Sequence, residues 1–210
     1  MAALRLPIES LLATGRVQRA NALARRAPAA WGYAEVAGRF VEVTGDARLT
    51  IAAGLVLDAQ RHAETVAWVA PPDSIVFPPD LAACGIDLDA LLFVRPAGEE
   101  MALHALDELL RSGAFGLVVA DGLSAKALGM AAQVRLAGAA QQHDAAFVVL
   151  RACGDGVSGD RGSLASLRLV SFRRRVEAGR FEIGFEATKD KRRGRSWTMV
   201  IGCEGVAGLG

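Results

Sequence analysis

The chain has 210 residues, of which 52% are hydrophobic and 22% are charged. This composition excludes a disordered chain and predicts one domain with a sizeable packed core. No apolar run approaches the roughly 20 residues that span a bilayer, and Arg5, Pro7 and Glu9 interrupt any apolar stretch typical of a secretory signal. We therefore expect a cytoplasmic protein without a membrane segment. The three cysteines lie far apart, which predicts neither a disulfide framework nor a metal site.

The formal net charge of +1 conceals an uneven distribution. Residues 61–160 carry six basic and thirteen acidic side chains, whereas residues 161–210 carry eleven basic and five acidic ones. Such an acidic middle and basic end can steer an anionic partner to one face. An arginine-rich genome would produce a similar bias without function, since 21 of the 24 basic residues are arginine. Both interpretations stay open at this point.

The hydrophobic pattern predicts an N-terminal helical arm followed by one α/β domain. A helix over residues 7–27, which Pro28 ends, defines the arm as residues 1–30. In residues 31–210 strands alternate with helices in chain order: a strand ending at Gly45, a helix over 49–61, strands at 65–70 and 91–94, a helix over 99–111, a strand at 117–120, a helix over 124–142 and a strand at 145–150. This alternation predicts a mostly parallel, twisted sheet flanked by helices.

The composition and hydrophobic pattern of the sequence change after Cys153. Residues 154–162 contain four glycines and no periodic apolar face, which predicts a loop. Three strand-like runs follow at 167–172, 181–188 and 197–201, with short connections between them. Short connections are typical of antiparallel strands, so we expect these three at the C-terminal edge of the sheet.

The order of these motifs resembles the RecA recombinase core. The strand GRFVEVTG resembles the strand that leads into the phosphate loop of that family, and residues 85–121 resemble the stretch that ends in the Walker B aspartate. SLRLVSFRRR and EATKDKRRGR resemble the strands after the second DNA-binding loop. The resemblance covers roughly 165 residues in consistent order and implies a RecA-like fold.

The phosphate loop departs from the family pattern. A working loop needs G-x-x-x-x-G-K-[ST], because backbone N–H groups, the lysine and the hydroxyl hold the phosphates and Mg²⁺. In GDARLTIA, which begins at Gly45, the second glycine position falls on Thr50, the lysine on Ile51 and the hydroxyl on Ala52. We therefore expect no ATPase activity, no catalytic residue, no metal and no cofactor.

Four further residues fall on nucleotide-site positions of the family. Asp73 lies near the position of the glutamate that activates water, and Asp121 lies at the Walker B position. Lys189 and Lys191 resemble the lysine pair that reaches ATP on the neighbouring protomer of a RecA filament. The alternative is structural: Asp121 as an ordinary turn or cap residue, and the lysines as part of a solvated basic turn.

The resemblance also implies DNA contacts, but the residues favour only weak or indirect DNA binding. The loop at 154–162 occupies the position of the second DNA-binding loop, lacks aromatic side chains and contains two aspartates. The candidate DNA contacts are basic residues in and after this loop: Arg161, Arg168, Arg192, Arg193 and Arg195.

Degenerate RecA-like proteins of this size resemble the ImuA family of SOS mutagenesis accessory proteins, which are related to SulA and RecA. This resemblance implies a non-catalytic adaptor for translesion synthesis. The implied partners are RecA, an ImuB-like Y-family polymerase homologue and, indirectly, an error-prone replicative-type polymerase. The candidate partner-binding residues lie on the helical arm: Leu11, Leu12, Arg16, Arg19, Leu23 and Arg26. The alternative interpretation is that this helix covers its own domain.

Two other functions remain as alternatives. The first is a weak DNA-dependent ATPase or recombinase that uses Asp73, Asp121 and the two lysines around a non-standard loop. The second is a cell-division inhibitor of the SulA type, which would act on FtsZ assembly.

Overall fold

The structure is a computed structural model that describes residues 31–151, 163–177 and 180–204. The predicted arm over residues 1–30 and the predicted loop over 154–162 lie outside the described residues. The division into an arm and a domain of residues 31–210 therefore stays a prediction. No helix among the described residues is long and apolar enough to cross a bilayer.

Strands and helices alternate along most of the described chain, as the hydrophobic pattern predicts. The elements in chain order are α1 (Tyr33–Val36), β1 (Phe40–Gly45), α2 (Arg48–Arg61), β2 (Val66–Val69), α3 (Pro78–Ala83), β3 (Leu91–Val94), α4 (Glu99–Ser112), β4 (Leu117–Asp121), α5 (Met130–Gln142), β5 (Ala146–Leu150), β6 (Leu167–Glu177), β7 (Arg180–Asp190) and β8 (Trp197–Glu204).

The strands form one eight-stranded sheet in the order β3-β2-β4-β5-β1-β6-β7-β8. The first six strands in this order run parallel to one another. A helical crossover connects each strand from β1 to β4 to the next strand in the sequence, as parallel strands require. β7 and β8 are antiparallel additions at one edge. The predicted fold class, a mostly parallel sheet with antiparallel strands at its C-terminal edge, is confirmed.

Both faces of the sheet are buried at its central parallel strands, β1, β2, β4 and β5. Val41 and Val43 of β1 lie on one face, in a core that includes Leu55 of α2. Phe40 lies on the other face, in a core that includes Leu106 of α4 and Leu136 of α5. Burial on both faces explains why the central strands read as short continuous apolar runs instead of alternating ones.

The structure differs from the sequence prediction in three respects. α5 begins at Met130 instead of residue 124, because the Ser124 side chain accepts the N–H of Ala127 in a separate turn that precedes Gly129. The short helices α1 and α3 were not predicted, and α3 has too few residues to show a helical period. β6 and β7 run on to Glu177 and from Arg180, which makes their hairpin longer than expected.

Candidate functional site at the carboxyl ends of the parallel strands

The carboxyl ends of the parallel strands bring two of the predicted nucleotide-site positions, Gly45 and Asp121, to one edge of the sheet. Gly45 ends β1, Asp121 ends β4, and Arg151 directly follows β5. In open parallel sheets, ligands bind in the crevice outside these strand ends. This edge is therefore where a nucleotide site would form.

The connection between β1 and α2 is too short to wrap a phosphate. β1 ends at Gly45 and α2 begins at Arg48, so only Asp46 and Ala47 lie between strand and helix. The N–H of Ile51 already donates to the carbonyl of Ala47 at 3.0 Å as part of the helix. A phosphate loop wraps the anion with backbone N–H groups of an extended loop as well as those of the first helical turn, and a two-residue connection leaves only the helical turn to supply them.

The side chains at the loop positions agree with this geometry. Ile51 and Ala52 are 3% and 0% exposed and belong to the hydrophobic core. Thr50 points to solvent from the first turn of α2. The position that carries the lysine in the family therefore packs an aliphatic side chain against the sheet.

The local backbone structure explains why position 45 is glycine, without any role in phosphate binding. Its φ is +94°, in the left-handed region, and a Cβ at this position would overlap the carbonyl oxygen of Ser171. Next to it, the Ser171 hydroxyl donates to the carbonyl of Thr44 at 2.6 Å. The end of β1 is thus closed against β6.

Asp121 occupies a polar pocket made by neighbouring segments. The Ser74 hydroxyl donates to its Oδ2 at 3.1 Å. Burial raises the pKa of Asp121, and the hydrogen bond from Ser74 and the positive charge of Arg48 only partly oppose this. The Nε of Arg48 is itself buried and has no hydrogen-bond partner among the described residues. A guanidinium of the chain thus supplies positive charge near the Walker B position.

The other predicted nucleotide-site residues are not gathered around Asp121 by any contact in the described part of the chain. Asp73 is exposed in the loop between β2 and α3, and its neighbour Ser74 makes the bond to Asp121. Lys189 donates to the carbonyl of Ser163 at 3.2 Å. Lys191 is exposed just after β7. Their nucleotide role stays a prediction.

The candidate DNA contacts that the structure describes mostly bind their own chain. The Arg168 Nε lies 3.2 Å from a carboxylate oxygen of Glu42. Arg192 donates to the carbonyl of Ala37 at 2.8 Å, and Arg193 donates to both carboxylate oxygens of Glu35 at 3.0 Å. The remaining two are Arg195, which is half-buried, and Arg161, which lies outside the described residues.

A buried charge cluster around Glu42 was not among the features predicted from the sequence. Glu42 is 3% exposed in β1; it accepts bonds from the Arg151 Nε at 3.0 Å and the Ser163 hydroxyl at 2.7 Å, in addition to Arg168. Nη1 of Arg151 is buried and has no hydrogen-bond partner in the part of the chain that the structure describes. A glutamate inside the apolar strand FVEV was the available signal, because a buried carboxylate needs partners. The cluster ties β1 and β5 to the start of β6.

The candidate partner-binding residues, Leu11 to Arg26 on the predicted arm, lie outside the described residues. Their role is neither supported nor contradicted by the contacts described above.

Comparison with known proteins gives the same fold. The chain is similar to the RadB recombinase in its crystal structure, with a TM-score of 0.61 over 79% of this chain and 87% of that one, at 14% sequence identity. It is 35% identical over 91 residues to the RecA protein of Fusobacterium nucleatum, and 39% identical over 92 residues to the RecA protein of a Nocardioides species.

These RecA matches cover 42% of this chain but only 24% and 26% of the two relatives. The matched part is therefore about a quarter of a RecA protein. The model of the RecA N-terminal domain matches residues 18–146, which is more than half of the chain. The chain belongs to the RecA N-terminal domain family.

Proposed function

We propose that this chain is a non-hydrolysing RecA-like accessory protein of the ImuA type, which supports error-prone DNA synthesis in the SOS response. The observation that carries the proposal is the junction of β1 and α2. Only two residues separate Gly45 from the start of helix α2 at Arg48, and Ile51 is buried where the family has its lysine. A core that keeps the recombinase sheet without a phosphate cradle is suited to binding proteins instead of turning over nucleotide.

The proposed partners are RecA and an ImuB-like Y-family polymerase homologue, in the cytoplasm, with an error-prone replicative-type polymerase recruited indirectly. The proposed contact is the apolar side of the predicted arm, which carries Leu11, Leu12 and Leu23. An amphipathic helix of this kind binds by laying its apolar face into a groove of the partner. DNA binding in this proposal is weak or indirect, because Arg168, Arg192 and Arg193 already bind acidic or carbonyl groups of the chain.

The proposed lack of ATP binding and hydrolysis is tested with nucleotide. We expect no change in melting temperature with millimolar ATP and Mg²⁺, and no phosphate release with or without single-stranded DNA. RecA measured in parallel is the positive control. A saturable thermal shift, or DNA-stimulated phosphate release, would favour the alternative of a weak ATPase and contradict the proposal.

The partner half is tested by binding to immobilised RecA filaments and to an ImuB-like protein at low salt. We expect the wild-type chain to be retained and Leu12→Asp to be retained at least tenfold less. Asn21→Asp, on the opposite side of the predicted helix, is the matched control and should bind like the wild type. Retention on neither partner contradicts the proposal, and inhibition of FtsZ assembly in its place would favour the SulA-type alternative.

A further inference from the structure

The loop between β2 and α3 exposes two large apolar side chains. Ile75 and Phe77 are 77% and 58% exposed, whereas Val76 between them is 6% exposed and belongs to the hydrophobic core. Val76 therefore anchors the loop without help from its two neighbours. Scattered exposed apolar residues are common on protein surfaces, but two large ones on the same loop are typical of an interaction site. We call Ile75 and Phe77 the apolar tip.

The Arg95 guanidinium holds the backbone before and within the apolar tip. It donates to the carbonyls of Pro71 and Pro72 at 3.3 and 3.1 Å, and to the carbonyl of Val76 at 3.0 Å. The same guanidinium lies over the ring of Phe93, 4.9 Å from the ring centroid, in a cation–π contact. One side chain thus ties the start of the loop to the middle of the apolar tip.

A second set of contacts fastens the loop to the end of β4. The Ser74 hydroxyl donates to the Asp121 carboxylate at 3.1 Å and accepts the N–H of Val76 at 3.2 Å. The Pro71 ring lies so close to Gly122 that a Cβ there would be 2.8 Å from it. Ordering a loop costs free energy when it occurs on binding, and a loop that is already held in place avoids much of that cost. The apolar tip is therefore preorganised for contact.

The surroundings of the apolar tip are acidic. Residues 71–90 contain four aspartates and no basic side chain. Asp73 and Asp80, which flank the tip in the sequence, are both exposed. Carboxylates repel the phosphates of nucleic acids and of anionic membranes, and an exposed loop side chain offers a small molecule no concave site. The charge and the shape therefore favour a protein partner that carries basic groups.

We propose that the apolar tip inserts into an apolar cleft of a partner protein, and that lysine or arginine side chains rim this cleft. A few large anchors near the centre of an interface provide most of its binding energy. Complementary charges around the anchors speed association and reject partners with acidic rims. The inference rests on the proposed accessory function only for the identity of the partner, and it adds a contact on the domain to the proposed contact of the arm.

The test is the dissociation constant of the full chain for purified RecA filaments and for a purified ImuB-like protein. With the partner that binds the wild type, we expect Ile75→Ser and Phe77→Ser each to weaken binding at least tenfold. Asp73→Lys with Asp80→Lys keeps both apolar side chains and should slow association at least threefold at low salt. This difference should shrink at about 0.15 M salt, where the Debye length is about 8 Å.

Val134→Ser is the matched control for the loss of an exposed apolar side chain. Val134 is 58% exposed, as Phe77 is, but it lies on α5, which packs on the other face of the sheet. This variant should bind the partner like the wild type. Melting temperatures show whether each variant is folded, and exposed positions should change them little. If Phe77→Ser is not folded, Ile75→Ser and the aspartate pair test the same contact.

The outcomes separate this inference from the proposed function. Tip variants that bind like the wild type, or a loss of the same size in Val134→Ser, would overturn the inference and leave the proposed function standing. Binding of the wild type to neither partner would contradict the proposed function and this inference with it. A change in the sedimentation of the chain alone on Phe77→Ser would show that a second copy covers the tip, which would also overturn the inference.

Discussion

Arg39 and Asp190, which lie 151 residues apart in the sequence, form a buried ion pair at 2.7 Å. The exposed fractions of their side chains are 3% and 0%. Arg39 also donates to the Ser166 hydroxyl at 3.1 Å, and Asp190 accepts the indole N–H of Trp197 at 3.0 Å. The pair therefore fastens the start of β1 to the end of β7 and the start of β8, where the antiparallel strands join the parallel sheet.

Asp190→Ala should strongly destabilise the protein, because it leaves the Arg39 guanidinium buried without its carboxylate. Removing one partner of a buried pair costs about 3–5 kcal/mol. The measurement is the free energy of unfolding in urea at neutral pH. Glu186→Ala, on the same strand but exposed, is the control and should change stability by less than about 0.5 kcal/mol. Similar losses in both variants would contradict the importance of the pair.

The ion pair between Arg39 and Asp190 also predicts that the protein loses stability at acidic pH. Burial alone would raise the pKa of Asp190, but the bonds from Trp197 and Arg39 outweigh it and hold the pKa below 3.8. A carboxyl with a lowered folded-state pKa stabilises the protein above its unfolded pKa, and this contribution disappears as the pH falls through the lowered value. Asp190→Asn should lack this part of the pH dependence. A wild-type curve that is equally flat below about pH 4 would argue against it.

Restoring the missing lysine should not restore a nucleotide site. Ile51→Lys places an amine at a position that is 3% exposed, among apolar side chains. An uncompensated buried charge costs about 3–5 kcal/mol, so we expect a large drop in the free energy of unfolding and no thermal shift with ATP. Thr50→Lys, one residue earlier on the exposed side of α2, is the control and should be nearly neutral. A stable Ile51→Lys variant that binds ATP would contradict this prediction, because it would show that the buried segment can rearrange into a phosphate loop.

Gly45→Ala should destabilise the end of β1. The left-handed φ of +94° costs a non-glycine residue about 1–3 kcal/mol, and overlap of its Cβ with the Ser171 carbonyl adds to this. Gly54→Ala is the matched control: it lies inside α2, where a Cβ would meet no atom within 4 Å. This control should stabilise the protein by about 0.5–1 kcal/mol, since alanine favours helix more than glycine does. Opposite signs for the two substitutions are the expected result in thermal and urea unfolding.

Local pattern was enough to predict the order of the central elements but not the contacts that close the candidate site. The apolar runs of β2, β4 and β5 are buried on both faces, so period and length identify them. The start of α5 was misplaced because Ser124 caps a turn of its own. The bond from Ser74 to Asp121 spans 47 residues, and the Glu42 cluster joins segments more than 100 residues apart. Such pairings depend on the sheet order, which no local pattern contains.

The short connection between β1 and α2 follows from the sequence pattern to within one residue. The predicted strand ending at Gly45 and the predicted helix over residues 49–61 leave three residues between them, and in the structure the helix begins at Arg48. The residues GDARLTIA also predict the loss of the lysine and the hydroxyl. The helix begins there because Ile51, Ala52 and Leu55 pack together against the sheet. The connection therefore departs from the phosphate-loop pattern in backbone shape as well as in side chains.

Asp121→Asn should reduce the pH dependence of the free energy of unfolding at pH values above the ordinary pKa of an aspartate. Burial raises the folded-state pKa of Asp121 above 3.8, despite the Ser74 hydrogen bond and the charge of Arg48. Between these two pKa values the folded state binds more protons than the unfolded state, so the free energy of unfolding falls as the pH rises through this window. The asparagine carbonyl still accepts the Ser74 hydroxyl but carries no charge, so the variant should lose this decline and be at least as stable as wild type at neutral pH.

Urea unfolding from about pH 4 to about pH 8 measures the difference, with Asp73→Asn in the exposed neighbouring position as the control that should follow the wild-type curve. If Asp121→Asn instead loses stability towards neutral pH, attraction to Arg48 outweighs the cost of burying the carboxylate, and the aspartate at the end of β4 holds the guanidinium in place.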